Sequence, residues 1–533
     1  MLRGLILAML VAAPAVAQEH QHGAAPSEKL GTVHFATSCN AAAQPAFGRA
    51  MALLHSFEFA QAIEGFSAAL KADPSCAIAE WGIAMSRWSN PFAIGNRPAA
   101  QLQQGLDAVA RAKTVGAKTE RERAYIDAVS RLYTDFDKSD QRARVVAYRD
   151  AMAALASAYP DDLEASIFYA LSLTASEEPN DKTYASRLKA GAILEKALPD
   201  HPDHPGLAHY IIHSYDVPAL APQALDAARR YAKIAPSAPH ALHMPSHTFT
   251  RVGYWQDSID TNIASAAAAR RDRSTGEELH ASDYQMYAYL QTAQDMAARR
   301  MLDSLPDINA RFDPTAIGSA APGSAGVFAL AAMPARYALE RRAWAEAAAL
   351  EPHPSRFPYT EAITYFARAL GAAHTGDLAT ARSAIDALQQ TRERLVQAKE
   401  SYWAEQVDIE RRGASAWLAF ADGRKSEALA EMRAAADAED KTEKSAVTPG
   451  PIVPARELLG EMLLQTNEPA QALKEFETTL KKEPNRFRAM YGAASAAELS
   501  GNKALASRYY ADLLKMCARA DKPGRRELAD IKR

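Results

Sequence analysis

Residues 59–74 read FAQAIEGFSAALKADP, and they carry the clearest structural pattern in the chain. The pattern is one aromatic and three small or turn-forming residues at spacings of four, three and five: Ala62, Phe66, Ala69 and Pro74. Residues three and four apart lie on one face of a helix, so this face is built from small side chains around a single ring. The spacing predicts a helix that packs closely against its neighbours.

The same scheme recurs near the other end of the chain, at Leu459-Gly460, Ala472, Phe476 and Pro484. Between the two copies, apolar residues recur at three and four residues almost everywhere, with no sustained two-residue alternation. This periodicity predicts an all-α protein. Weaker copies have a glycine followed five places later by a small residue: Gly253 with Ser258, Gly376 with Ala381, Gly423 with Ala428, and Gly501 with Ala506.

These residues resemble the tetratricopeptide repeat, a helix-turn-helix unit of about 34 residues, and the chain resembles exported bacterial proteins built from it. The resemblance covers most of residues 40–520 and is strongest at the two ends. It implies a right-handed α-solenoid with a concave groove, because each helix pair buries its apolar face only by stacking on the next. A protein or peptide partner in that groove is the expected ligand of such an array.

Two stretches interrupt the repeats, and both are predicted to be loops. One is rich in Pro, Gly and Ser, and the other contains Pro449-Gly450-Pro451. The predicted organisation is a signal peptide (1–17), an extended segment (18–38), a repeat block with a His-rich groove (39–304), a loop (305–325), a middle repeat block (326–439), a loop (440–455) and C-terminal repeats (456–533).

The first residues indicate export from the cytoplasm. Arg3 supplies a positive charge, residues 4–13 form an apolar run too short to span a bilayer, and Ala15-Val16-Ala17 is a small-residue cleavage site. We therefore expect cleavage after Ala17 and a periplasmic or secreted protein. No later stretch approaches the roughly 18 uninterrupted apolar residues of a membrane span.

The charge balance makes nucleic acid an unexpected partner, since 61 basic residues face 64 acidic ones and the net charge is −3. The three cysteines are too few for a disulfide scaffold. In an oxidising compartment, Cys39 and Cys76 can pair and tie the extended segment to the first repeat. The alternative is two buried free thiols, and Cys517 is expected to be a third.

Histidine is concentrated in the middle of the chain, where eight of the fourteen lie between His201 and His280. Repeat units that start at Pro205, Pro239 and Leu279 place polar residues at the second, fifth and ninth positions of their first helices. Those positions line the concave groove, as the resemblance implies. The residues so placed are His209, His213, His240, His243, His247, His280, Asp283 and Tyr287.

Imidazoles on neighbouring helices can converge on one metal ion. Histidines with a single carboxylate, Asp283, and no cysteine suit zinc, copper, iron or nickel. The alternatives are a structural hydrogen-bond network with nearby tyrosines, and a metal-free acid/base or ligand site. His201 and His204 precede the first of these helices and are expected to be more exposed.

A second motif suggests an anion-binding residue. Residues 333–336, Met-Pro-Ala-Arg, repeat residues 244–247, Met-Pro-Ser-His. Arg336 then stands where His247 stood, and both prolines are expected to bend their helices. Arg336 with Tyr287 could bind a small anionic ligand beside the imidazoles, although an ion pair is the commoner role of an arginine.

No established catalytic motif occurs in the chain, so whether it is an enzyme stays open. The first hypothesis is a binding or scaffold protein of the cell envelope whose groove holds a metal ion. The second is a metal-dependent hydrolase, in which the His/Asp site leaves one coordination position for water. The third is a metal-free scaffold for protein–protein interaction.

Overall fold

The structure is a computed structural model that describes residues 28–178, 181–316 and 318–531. The predicted signal peptide and its cleavage site lie outside these residues and stay predictions. Among the described helices, none is long and apolar enough to cross a membrane.

Helices dominate the fold, and the described residues contain no β-strand. In chain order the helices are α1 (Gln44–His55), α2 (Phe59–Ala72), α3 (Ala77–Trp88), α4 (Ala99–Val115), α5 (Glu120–Ser130), α6 (Gln141–Ala158), α7 (Leu163–Ala175), α8 (Ala185–Ala197), α9 (Pro205–Ser214), a short 3-10 helix (Ala221–Ala224), α10 (Leu225–Ile234), α11 (Pro239–His243), α12 (Pro245–Arg251), α13 (Trp255–Arg271), α14 (Thr275–Gln291), α15 (Asp295–Asn309), α16 (Gly323–Glu340), α17 (Trp344–Ala348), α18 (Pro358–Thr375), α19 (Leu378–Gln397), α20 (Ser401–Ala421), α21 (Lys425–Glu439), α22 (Ala455–Gln465), α23 (Pro469–Lys482), α24 (Phe487–Leu499), α25 (Lys503–Met516) and α26 (Arg526–Asp530).

The pattern in residues 59–74 works as the sequence predicts. Phe66 is fully buried on α2, and its ring occupies the space that a side chain at Gly82 of α3 would need. At the other end of the chain, Phe476 of α23 fills the same space against Gly492 of α24. One large ring packed on a bare glycine backbone lets successive helices approach closely. Helices adjacent in the chain pack on one another throughout, so the predicted all-α solenoid of stacked helix pairs is confirmed.

The N-terminal residues of the structure run as an extended arm along the first repeats. Thr32 donates its backbone N–H to Asp203 O at 3.0 Å, and Ser237 donates to Lys29 O at 3.2 Å. A disulfide joins Cys39 in this arm to Cys76 at the start of α3, with Cα atoms 4.8 Å apart. Cys517 is a buried free thiol, and burial raises its pKa to about 12.

The two prolines behave differently. Pro245 separates α11 from α12, and the break falls between His243 and His247. Pro334 lies inside α16, which continues around it to Glu340. A proline removes one intrahelical hydrogen bond. At Pro245 the helix ends and a new one begins, whereas α16 continues through Pro334.

Both predicted loops pack against other parts of the fold on its concave side. Residues 440–454, hereafter the cover segment, cross the groove, and Tyr284 donates its hydroxyl to Thr448 O at 2.9 Å. From the other loop, Ala320 O accepts a hydrogen bond from Asn90 Nδ2 at 2.9 Å. The residues predicted to line the groove of the middle repeats are therefore covered by these segments. Their side chains are buried instead of lining a solvent-filled channel.

Candidate metal centre

Six buried histidines meet at the centre of the molecule, and each side chain's position follows from its helix. Four-residue spacing on α9 places His209 and His213 on one face, and α11 adds His240 and His243 one turn apart. The break at Pro245 starts a new helix that carries His247, and α14 carries His280. None of the six residues is more than 5% exposed. They form two groups of three.

The first trio is His209, His213 and His240, whose potential ligand atoms all lie within 4.8 Å of one another. His209 donates Nδ1–H to the backbone oxygen of His55 at 2.6 Å, so its Nε2 is the unprotonated nitrogen. Among the described residues that Nε2 atom has no hydrogen-bond partner, and neither does Nε2 of His213 or either ring nitrogen of His240. The first trio thus holds several buried lone pairs that no protein donor satisfies.

The second trio is His243, His247 and His280, again with ligand atoms within 4.8 Å of one another. His243 Nδ1 lies 2.7 Å from Asn262 Oδ1, and His247 Nδ1 lies 2.9 Å from Asp216 Oδ2. An oxygen acceptor at each Nδ1 means that each Nδ1 carries the proton and each Nε2 carries a lone pair.

The amide orientation on which this assignment depends is itself fixed by a hydrogen bond. Asn262 donates Nδ2–H to Ser258 O at 2.7 Å, which leaves Oδ1 turned toward His243.

The two Nε2 atoms of His243 and His247 face each other at 3.1 Å. Because each Nδ1 carries the proton of its neutral ring, both Nε2 atoms carry lone pairs. These two lone pairs face each other with no proton between them. Two nitrogen ligands at 2.0–2.1 Å from a tetrahedral ion are about 3.3 Å apart. The observed separation is therefore close to that of two ligands on one cation.

Burial keeps five of these imidazoles neutral, those of His209, His213, His243, His247 and His280. It is the largest cause that lowers each pKa, because it penalises the charged ring. The pKa of His247 falls to about 4 even though Asp216 opposes the shift. The histidines whose pKa values are lowered well below the ordinary range are His209, His213, His243 and His280. Neutral imidazole is the form that binds metal.

Asp216 is the carboxylate that organises the second trio. Burial alone would raise its pKa, but Lys444 and Arg251 outweigh burial and hold the pKa well below its usual range. Arg251 Nε lies 2.9 Å from Oδ1, and Lys444 Nζ lies 3.2 Å from Oδ2. Asp216 is therefore an anion that accepts the Nδ1 proton of His247 and orients that ring.

The sequence analysis missed both Asp216 and Asn262. One signal was present: Asp216 follows the His-bearing helix α9 by two residues. Another is the buried polar face of α13, where Ser258, Asn262 and Ser265 recur at helical spacing. Neither signal indicates which histidine would have Asp216 or Asn262 as its hydrogen-bond partner.

Asp283 was expected to join the histidines, and the structure corrects this. Its carboxylate pairs instead with Arg336, at 3.2 Å between Oδ1 and Nε, and both side chains are fully buried. The physical reason is that α14 packs along α16, which brings these two residues together away from both trios.

Arg336 was expected to bind an anionic ligand, and the structure instead pairs it with protein groups. Besides Asp283, it donates to Thr448 Oγ1 at 2.8 Å and to the backbone oxygens of Gly450 and Pro451 at 2.9 Å each. Its guanidinium anchors the cover segment. Three of its five N–H groups are used in these hydrogen bonds.

Tyr287, which was also expected to bind a ligand, makes hydrogen bonds to protein side chains instead. Its hydroxyl accepts a hydrogen bond from Arg486 Nη1 at 3.0 Å and lies 3.5 Å from Glu483 Oε2. The side chain is completely buried between the middle and C-terminal repeats. Other protein groups occupy the space around its hydroxyl.

A third histidine group lies nearby, in which His55 and His204 share Glu164. Each Nε2 lies 2.8 Å from one oxygen of the Glu164 carboxylate. Burial opposes the charge of Glu164, but the two imidazoles outweigh it and hold the pKa well below its usual range. The sequence analysis missed His55 and Glu164, and His204, expected to be exposed, is buried. Here each nitrogen facing the centre meets an acceptor.

A cleft of about 490 Å³ reaches the edge of the first trio. His213 and Asp216 lie at its base, and the ring of Phe92 stacks on His213 with centroids 4.1 Å apart. Glu443 and Lys444 of the cover segment form another side. Of the six histidines in the two trios, His213 is the one that lines this cleft.

Comparison with known proteins adds little to this picture. No protein-family model matches the chain, and no curated protein sequence matches it. Among solved structures, a human IFIT1 dimer with m7Gppp-AAAA is similar at 10% identity and a TM-score of 0.37, covering 87% of this chain and 95% of that chain. A human IFIT1 dimer with PPP-AAAA is 11% identical with a TM-score of 0.37, covering 83% and 91%. Because these TM-scores are below 0.5, the fold assignment rests on the helix packing alone.

Proposed function

We propose that this chain is an exported helical-repeat protein of the cell envelope that binds transition-metal ions at its two histidine trios. The observation that carries the proposal is the 3.1 Å separation of the two Nε2 atoms in the second trio, with both Nδ1 protons engaged elsewhere. Zinc, copper, iron and nickel are the candidate ions, because all bind imidazole.

The partners of the Nδ1 atoms support a metal over a purely structural network. Metal-bound histidines usually donate their second N–H to a carboxylate, a carbonyl or an amide, which fixes the tautomer and the ring orientation. His209 has a backbone carbonyl, His243 an amide oxygen and His247 a carboxylate. All three arrangements turn Nε2 toward the centre of a trio.

The cost of leaving the trios empty points the same way. A buried polar atom without a partner costs about 1–3 kcal/mol. The first trio alone contains several such nitrogens within a few ångströms of one another. One cation at its centre would satisfy them together.

Metal analysis of protein purified from the compartment to which it is exported tests the proposal. We expect at least one transition-metal ion per chain by mass spectrometry. The double variant His243→Ala, His247→Ala should lose metal while its circular dichroism stays helical, and the matched control His353→Ala removes an exposed histidine and should keep it. Protein that takes up none of the four metals from solution would contradict the proposal.

Export is supported by the disulfide between Cys39 and Cys76, because such bonds persist in oxidising compartments. The measurement is cell fractionation followed by N-terminal sequencing. We expect mature protein that begins at Gln18. Protein found in the cytoplasm with Met1 retained would contradict this part.

A metal-dependent hydrolase is the second candidate, and the cleft that ends on His213 favours it. A three-histidine site leaves a coordination position for water, whose pKa the ion lowers toward neutrality. Metal-loaded protein should then hydrolyse 4-nitrophenyl acetate or 4-nitrophenyl phosphate with saturation, and His213→Ala should abolish turnover. Fully loaded protein without turnover of either ester would leave the binding function alone.

A metal-free scaffold for protein partners is the remaining candidate. The cover segment occupies the concave side of the middle repeats, so a partner would bind the terminal repeats or the outer surface. Equal capture of a partner by metal-loaded and metal-free protein would favour it.

A further inference from the structure

The two trios share a boundary. The rings of His213 and His247 have centroids 5.9 Å apart, and those of His240 and His243 are 6.1 Å apart. Each of these pairs takes one histidine from each trio. Ions at the two centres would therefore be neighbours, with no intervening layer of apolar side chains.

The short helix α11 sets the spacing between the centres. It supplies His240 to the first trio and His243 to the second, three residues later. Three residues advance about 4.5 Å along an α-helix. Two-metal sites in proteins hold their ions about 3.5–4 Å apart. The rise between His240 and His243 along α11 is therefore close to the ion–ion distance of a two-metal site.

Two of the three ring pairs in each trio have about the spacing of ligands on one ion, and the third pair is wider. An imidazole centroid lies roughly 3.2 Å from an ion bound through nitrogen, so two rings on a tetrahedral ion have centroids about 5 Å apart. In the first trio the smallest separation is 4.8 Å and the largest 6.4 Å. In the second trio the corresponding values are 4.4 Å and 6.2 Å.

The charge of the surroundings discriminates between metals. Both trios consist of imidazoles, and neither includes a carboxylate among its ligand atoms. Two carboxylates lie beside them. Glu277 Oε2 is 3.7 Å from His240 Nδ1. Asp216 lies behind His247, where Arg251 and Lys444 already offset its charge. Two divalent ions would bring four buried positive charges against the carboxylate of Glu277 and the already offset Asp216. Because the free energy of burying an ion rises with the square of its charge, a monovalent ion is far less costly.

Of the candidate metals, copper is the one with a common monovalent state. Its divalent state also binds nitrogen ligands most tightly in the first-row series. We propose that the two trios form a single dinuclear copper centre. This inference rests on the proposed metal-binding function and adds to it the number of ions, their coupling and their identity.

The experiment loads metal-free protein and reads the ions directly. Under nitrogen, wild-type protein should take up two copper(I) ions per chain and should retain them against an equal concentration of zinc. Loaded separately with two equivalents of copper(II), it should give an electron paramagnetic resonance spectrum with a half-field transition, since that signal requires two interacting spins.

Matched variants remove one trio at a time. His209→Gln with His213→Gln should leave one copper ion, as should His243→Gln with His247→Gln, and each should show an ordinary mononuclear spectrum. Glutamine keeps most of the side-chain volume, and circular dichroism verifies the fold of each variant. His353→Gln should retain the wild-type spectrum. If a pair of substitutions unfolds the protein, the single variant His213→Gln replaces it, with the half-field signal lost or strongly reduced.

Three results would overturn the dinuclear proposal: one copper ion per saturated chain, two ions with non-interacting spectra, or replacement of copper by zinc at equal concentration. Each leaves a metal-binding protein in place. Failure to bind any of zinc, copper, iron or nickel would instead overturn the proposed function, so the two failures are distinguishable.

Discussion

The two trios and the His55–Glu164–His204 group are buried to the same degree and lie in the same part of the fold, yet their chemistry differs. Around Glu164 each imidazole points a nitrogen at a carboxylate oxygen, 2.8 Å away. In the second trio a nitrogen points at another nitrogen, 3.1 Å away. Counting histidines therefore does not separate a structural group from a metal site. The partner of each ring's two nitrogens does.

The comparison also concerns charge. In the Glu164 group each Nε2 already faces a carboxylate oxygen, so the atoms that face its centre are paired without an ion. The trios contain no carboxylate among their ligand atoms, and burial keeps rings such as those of His213 and His243 neutral. Metal removal should thus affect one region and leave the other untouched.

The largest expected effect separates the regions by metal content. His243→Ala with His247→Ala removes two of three ligands, so the second trio should lose its ion completely. His55→Ala should leave metal content unchanged, since its nitrogens serve Glu164 and Tyr210. Mass spectrometry of the purified variants measures both. Equal metal loss in the two variants would place the third group among the ligands.

The next effect concerns stability. Glu164→Ala leaves two buried imidazoles without their acceptor, and the free energy of unfolding should fall by about 3–5 kcal/mol. Urea unfolding of metal-free protein measures the change. Glu120→Ala, at an exposed site, is the control. A loss below about 1 kcal/mol would show that this group contributes little to folding.

A smaller effect tests the orientation of the second trio. Asp216→Asn removes the anion that accepts the Nδ1 proton of His247, and metal affinity should weaken by about 10–100-fold. Asp257→Asn on the outside of α13 should not change it. Competition with a chelator of known affinity gives both values. Unchanged metal affinity in Asp216→Asn would show that this carboxylate does not support metal binding.

A further effect is a pH dependence of the metal-free protein. The pKa of His247 is about 4 in the folded protein and 6.5 in an unfolded chain. Between these values the unfolded chain binds a proton that the folded protein does not, so stability falls as pH falls. The contribution is about 1.4 kcal/mol per pH unit.

Urea unfolding at a series of pH values measures that slope. The slope between pH 6.5 and pH 4 should be shallower in His247→Gln than in wild type. Identical slopes would mean that His247 is already charged in the folded state.

The repeat architecture was predictable because its signal is local. Ala62, Phe66 and Ala69 lie within eight residues, and the glycine that receives the ring follows on the next helix. The histidine helices were predictable for the same reason, since a spacing of four already fixes a shared face. Local patterns predict which side chains stand together on one element.

The rest depends on contacts between distant residues. Asp283 and Arg336 pair across two helices, and the two acceptors behind His243 and His247 come from other elements. The cover segment begins 160 residues beyond His280, and its own sequence predicts only a loop. Nothing local indicates that it fills the groove.

The cover segment also implies unequal exchange kinetics for the two trios. Lys444 Nζ lies 3.2 Å from Asp216 Oδ2, and Tyr284 donates its hydroxyl to Thr448 O. An ion in the second trio is therefore released only when this segment opens, whereas the first trio borders the cleft at His213. A chelator should strip the two ions in two phases. The slow phase should have a rate independent of chelator concentration, set by the opening of the protein itself.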